Sequence, residues 1–175
     1  MKIEIILIDR TLPGIRELMD AVHKQFNAKV IRRMIDLGFT RSFRKSKNQY
    51  DANLLLKELA GTKIEADKIL YIFREDLFVP GLNFVFGLAS GDVAIVSTTR
   101  LDPRFYGKVE NLGKAAAVFK ERLVKEALHE LGHAFGLPHC ENKKCVMVFS
   151  NSIADVDLKS AEFCERCRKA LYRKE

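Results

Sequence analysis

Residues 129 to 139 read HELGHAFGLPH and hold three of the chain's four histidines together with one carboxylate. If His129 to His133 is helical, the two imidazoles lie four residues apart on one face, where side chains one turn apart converge. That supplies two ligands to one zinc ion. Glu130 lies about 100° further round the same turn, so it misses the metal but reaches a water beside it, the place of a general base. Gly136 is a natural helix stop, because glycine alone enters the left-handed conformation without a Cβ penalty. Pro138 cannot continue a helix and biases Leu137 towards an extended backbone, which brings His139 back to the metal as a third ligand. Three neutral histidines with a fourth position open describe a catalytic zinc, whereas a structural zinc is closed by four protein ligands. Such an ion lowers the pKa of its water to about 7, so the chemistry is hydrolysis at neutral pH. The competing reading is an amphipathic core helix that happens to carry histidines. It leaves the glycine, the third histidine and the helix stop as coincidences. His23 has no such company and reads as a surface residue.

All four cysteines fall in the last 36 residues, as CENKKC at 140 to 145 and CERC at 164 to 167. Thiols in a reducing compartment stay reduced, and short-spaced pairs then favour one tetrahedral site built from Cys140, Cys145, Cys164 and Cys167. Two disulfides are the alternative. The expectation is therefore two zinc ions per chain, one catalytic and one structural.

With 175 residues and 47% hydrophobic content, the chain suits one globular domain over 1–175. No apolar run approaches the roughly 20 residues of a membrane-spanning helix. The start, MKIEIILIDR, reads as a strand interrupted by Glu4, with neither a signal peptide nor a propeptide expected. A cytoplasmic monomer is the expected state. Of the net charge of +7, the densest cluster is Arg41, Arg44, Lys45 and Lys47, beside Phe43 and Tyr50. It reads first as a solvated loop and only secondarily as a nucleic-acid contact.

The elements that must position the histidines follow from periodicity. Residues 3 to 8 form a buried strand, and Pro13 opens a helix with Ile15, Leu18, Met19, Val22 and Phe26 on one face. A second strand is expected over 29 to 37. A helix from about Asp51 is closed by Gly61, and a third strand covers 69 to 73. NFVFGLAS and DVAIVSTTRL are two further strands joined at Ser90 and Gly91, so one is antiparallel and at an edge. Residues 111 to 135 form a long helix ending in the histidine motif, and a last helix over about 160 to 173 carries both Cys164 and Cys167. Alternation of strand and helix predicts an α/β (α+β) fold with a twisted, mixed and mostly parallel sheet.

The pattern H-E-x-x-H-x-x-G-x-x-H with a downstream methionine is the metzincin signature, and Met147 follows His139 by eight residues. The continuation HELGHAFGLPHC, then Cys145, Val146, Met147 and CERC, closely resembles the archaemetzincins, with weaker support from NQYDANLLL and NFVFGLAS. Sixteen residues separate Met147 from Cys164, one fewer than the family pattern, a difference of loop length. The resemblance implies a metzincin-like domain, with an N-terminal subdomain over 1–136 and a zinc-stapled C-terminal subdomain over 137–175. It implies His129, His133 and His139 on a catalytic zinc, Glu130 as base, the four cysteines on a structural zinc, and Met147 as the floor under the catalytic metal. Some metzincins place a tyrosine ligand two residues after that methionine; here Phe149 has no ligating atom.

The expected activity is zinc-dependent peptide hydrolysis, with an extended substrate pairing to the edge strand at 83 to 89. Phe84 and Phe86 read as core. A non-catalytic two-zinc module binding protein or nucleic acid is the alternative, and retention of Glu130 weighs against it.

Overall fold

The structure, a computed structural model, describes residues 1–8, 12–36, 38, 41–61 and 65–172. The apolar, β-branched strand β1 (Lys2–Leu7) lies inside a sheet, parallel to β2 (Lys29–Met34) on one side and β5 (Lys68–Phe73) on the other. Strand β8 (Val93–Ser97) continues the parallel set beside β5, and β7 (Gly87–Ser90) closes the order β2-β1-β5-β8-β7 as an antiparallel edge. The inner parallel strands β1, β5 and β8 are buried on both faces, whereas β2 at the other edge is largely exposed. Ile3, Ile5 and Leu7 share a core with Leu18, Val22 and Phe26 of helix α1 (Ile15–Phe26) and Leu123, Leu128 and Leu131 of helix α3 (Leu112–Ala134). On the other face Ile6, Tyr71 and Ile95 pack against Leu55, Leu56 and Leu59 of helix α2 (Ala52–Ala60). Glu4 stays buried within β1 because Arg33 of β2 lies 2.6 Å from its carboxylate.

The alternation of elements, the parallel strands and the antiparallel edge agree with the expected fold class. Details differ for identifiable reasons. β2 stops at Met34, and Leu37 lies outside the described residues. The basic segment expected as a loop forms a hairpin of β3 (Phe43–Arg44) and β4 (Gln49–Asp51), which β6 (Leu77–Phe78) extends to a second sheet in the order β3-β4-β6. Phe43 and Tyr50 pack on each other at 5.0 Å, and Tyr50 also meets Phe73 at 4.9 Å, so these rings are engaged in packing. The edge strand is shorter than 83 to 89: it starts at Gly87, and only Val85 of the preceding residues bridges, to Leu77.

The expected helix over 160 to 173 is replaced by α4 (Ile153–Leu158), opened by a capping box of Ser152 and Asp155, and α5 (Glu165–Tyr172). Cys164 therefore precedes α5 and Cys167 lies on it; residue 173 is outside the described set. The intervening residues bond to the first cysteine loop instead of to a helix. Ser160 Oγ donates to the Lys144 carbonyl at 2.6 Å, and the Val146 amide donates to the Glu162 carbonyl at 2.9 Å.

Helix α2 supplies a test of how its ends are held. Asp51 accepts from the Asn53 and Leu54 amides at 3.1 and 3.3 Å, whereas Gly61 is right-handed at φ −75°, and a Cβ there would meet only the Glu58 carbonyl oxygen, at an unstrained 3.7 Å. Asp51→Ala should cost about 1 kcal/mol and Gly61→Ala should gain about 0.4 to 1 kcal/mol, both measured by urea unfolding.

Candidate metal centres and cleft

Helix α3 ends in a Schellman motif: the Gly136 amide donates to the His133 carbonyl at 2.7 Å and the Leu137 amide to the Gly132 carbonyl at 2.9 Å. Gly136 sits at φ 79°, the left-handed conformation that the stop requires. The chain then doubles back. Leu137 turns its carbonyl to His133 Nδ1 at 2.8 Å, and His139 comes to face the other two rings, with centroids 5.4 Å from His129 and 4.7 Å from His133.

His129 and His133 are oriented through their far nitrogens. His129 Nδ1 donates to the Val146 carbonyl and His133 Nδ1 to the Leu137 carbonyl, each at 2.8 Å. A carbonyl can only accept, so Nδ1 carries the proton and Nε2 presents its lone pair. Those two Nε2 atoms face each other at 3.1 Å, close to the edge of about 3.3 Å for a zinc tetrahedron with nitrogen ligands. Opposed lone pairs at that distance repel unless a cation lies between them. One ligand atom from each of the three histidines lies within 4.8 Å of the others, so the donor set fits zinc. Burial lowers the pKa of all three, most strongly for His129, and nearby positive charge on Lys159 adds to it. Neutral imidazole is the ligating form.

The four cysteines are free thiols and form a second cluster, with all four sulfurs within 4.8 Å of one another. Cys140 Sγ and Cys164 Sγ are 3.7 Å apart. That is too far for a disulfide and matches the edge of about 3.8 Å for a tetrahedral four-thiolate zinc. Burial opposes ionisation of Cys140, but the Asn142 amide and the Arg166 guanidinium outweigh it and bring the thiol down to about 7. Burial raises Cys145 and Cys167. His139 is exposed to the cleft while its neighbour Cys140 is buried in the thiol cluster, so adjacent residues serve opposite sides of one extended segment.

The histidines open on a cleft of 610 Å³ whose walls include Phe84, Gly87, Glu126, Glu130 and Phe149. Glu130 is 6% exposed, and burial, then the charge of Glu126, push its carboxyl well above the usual range. Phe86 is core, but Phe84 is half-buried on the cleft wall and stacks under the Arg100 guanidinium at 4.2 Å. Met147 is fully buried beneath Gly132: a Cβ there would overlap Met147 Sδ and lie 3.1 Å from its Cε and 3.2 Å from Phe163 Cε1. Phe149 packs beside His139 at 5.0 Å.

Several contributors were not legible as site residues. Lys159, with its side chain fully buried, pairs with Glu126 at 2.7 Å. Arg122 makes two 2.7 Å bonds to Asp157, whose carbonyl also accepts from Lys125 at 3.1 Å. Together these pin α4, and the cleft wall preceding it, to the middle of α3. Gln49 of β4 donates to the Asn83 carbonyl at 3.0 Å and so braces the opposite rim. Only Gly87 left a trace in the sequence, because a glycine inside a strand pattern signals close approach of another group.

The model of Peptidase family M54 matches residues 6–173. An archaemetzincin from Methanopyrus kandleri is 39% identical over 99% of this chain and 97% of its own length. The crystal structure of archaemetzincin from that organism superposes with a TM-score of 0.85 at 38% identity, covering 99% of this chain and 94% of its own. A zinc-dependent peptidase from Methanocorpusculum labreanum gives 0.84 at 32% identity over 97% and 99%. These matches make the chain, with its long helix ending in converging imidazoles, a zinc metallopeptidase. Within that class the chain belongs to the archaemetzincins, Peptidase family M54.

The fit of Met147 against Gly132 gives a quantitative expectation. Gly132→Ala should cost about 1 to 3 kcal/mol by overpacking. Met147→Ala introduced with it should cost less than the sum of the two single changes, read from denaturant midpoints as a double-mutant cycle.

Proposed function

We propose that this protein hydrolyses peptide bonds of an extended polypeptide, with His129, His133 and His139 holding a catalytic zinc, Glu130 moving the proton, and Cys140, Cys145, Cys164 and Cys167 holding a second, structural zinc. The observation that carries this reading is the pair of Nε2 lone pairs facing each other at 3.1 Å, each fixed by a carbonyl on the far nitrogen. When bound, zinc supplies a Lewis acid that polarises the scissile carbonyl and lets water ionise near pH 7. Glu130 accepts a proton from the attacking water as the carbon–oxygen bond forms. It returns that proton to the amine nitrogen as the carbon–nitrogen bond breaks.

The free edge of β7 orients the substrate: an extended peptide continues the sheet order as a further strand and crosses the mouth of the cleft. Residues 1–136 supply the sheet and the site helix, and 137–175 close the cleft from below as a second subdomain of one peptidase domain. Among the described residues no helix is long and apolar enough to cross a membrane, and four thiols gathered around one point suit a reducing compartment such as the cytoplasm. We take the chain to act as a monomer.

Glu130→Ala should leave two zinc ions per chain by elemental analysis while turnover of a mixed peptide library falls by about 10² to 10⁴; full turnover at two zincs would refute the mechanism. Cys164→Ser should weaken metal binding at the histidines by about tenfold or more, the size of a lost supporting contact. An unchanged affinity there would show the two centres to be independent.

A further inference from the structure

The first residue of β7 lies against the glutamate that follows His129. A Cβ built on Gly87 would fall 2.6 Å from Glu130 Cγ, 2.8 Å from Glu130 Oε1 and 2.6 Å from the Ile95 carbonyl oxygen of β8. The backbone does not ask for glycine here, since Gly87 is not among the residues with positive φ. Space does. A glycine within a strand weakens it by roughly 0.5 to 1 kcal/mol relative to alanine, so this one carries a local cost.

The apposition is held from both sides. Gly87 pairs with Val96 of β8, and the neighbouring Phe86 carbonyl accepts from the Ser97 amide at 2.8 Å. Glu130 is carried by a 23-residue helix whose preceding residue is tied to the Val146 carbonyl. Neither backbone can withdraw without disturbing the sheet or the histidines.

We propose that Gly87 is a positioning residue for Glu130: its bare backbone leaves the glutamate's Cγ and Oε1 the space they occupy, and any larger residue drives the carboxylate out of reach of the reacting water. The inference rests on the reading of Glu130 as the proton carrier. It also links two steps of the reaction, because the strand that orients the peptide is the strand that seats the base. The register of the substrate and the place of the proton acceptor are set by one stretch of backbone.

The test uses full-length, zinc-loaded protein carrying Gly87→Ala, Glu130→Ala, Glu130→Asp and the corresponding doubles. Gly87→Ala should lower kcat by about 100-fold, the penalty of displacing a reacting group by about an ångström, with KM changed by less than about threefold and zinc content unchanged. Glu130→Asp, one methylene shorter, should cost less activity in the Gly87→Ala chain than in the native one. Thermal unfolding gives a readout independent of activity: the loss of midpoint from Gly87→Ala should shrink in the Glu130→Ala background, with or without metal. If Gly87→Ala alone does not fold, recovery of folding by Glu130→Ala supports the inference; a double that also fails shows that the Ile95 carbonyl, not Glu130, demands glycine here and overturns it. Equal losses of midpoint in both backgrounds, or an unchanged kcat, also overturn it. Full activity of Glu130→Ala alone would instead refute the proton-carrier role, leaving the coupling in stability to be read by itself.

Discussion

The bond from His129 Nδ1 to the Val146 carbonyl, 2.8 Å long and wholly buried, joins the two halves of the site. On the helix side it sets the tautomer, so Nε2 faces His133. On the other side it grips the middle of Cys145, Val146 and Met147. The Val146 amide donates to the Glu162 carbonyl, the Met147 carbonyl accepts from the Cys140 amide, and the Cys164 amide donates to Cys145 Sγ. The first histidine, the methionine floor and the thiol cluster are thus consecutive links of one hydrogen-bonded chain. A metal at the cysteines would stiffen the strap on which His129 leans, and His139 precedes Cys140, whose amide is bonded to that strap.

Charge is arranged around this frame with equal economy. Buried ionic groups are costly unless paired, yet Arg122, Lys125, Glu126 and Lys159 are all buried together where α4 crosses α3. Each finds a partner there. The pair of Glu126 and Lys159 is placed one helical turn before Glu130, so its two charges act on the carboxylate in opposite directions. Burial and Lys159 both depress proton binding at His129. The same clamp that fixes the cleft wall therefore favours the unprotonated rings that ligation needs.

The parts legible in the sequence are those whose cause is local. The pitch of α3, the stop at Gly136 and the return of His139 are set by neighbours within a few residues, and the alternation of strands and helices followed from periodicity. The hairpin at Phe43 to Asp51 was hidden because its third strand, β6, comes from Leu77 and Phe78, two residues without a pattern of their own. The last helix starts later than its sequence suggests, at Glu165, for a related reason. Residues 160 to 163 contain no helix breaker, and what keeps them out of a helix is bonding to Lys144 and Val146, far back in the chain. Lys159 reads as an ordinary surface lysine until Glu126 is brought beneath it. Gly132 and Gly87 are instructive opposites of Gly136: the last is needed for its φ, the other two for room, and of those two only Gly87, inside a strand pattern, leaves a trace.

The position of the histidines at the end of α3 bears on which ion the site accepts. A helix C-terminus carries about half a negative charge, which favours a cation at His129 and His133. Protons are poor occupants, because three imidazolium groups with ligand atoms within 4.8 Å of one another would repel. A single divalent ion satisfies all three lone pairs at once and places its charge where the helix dipole points. Burial lowers proton affinity at all three rings, and their crowding at the helix end leaves their lone pairs to one shared ion. That crowding exists only because Gly136 ends the helix where it does.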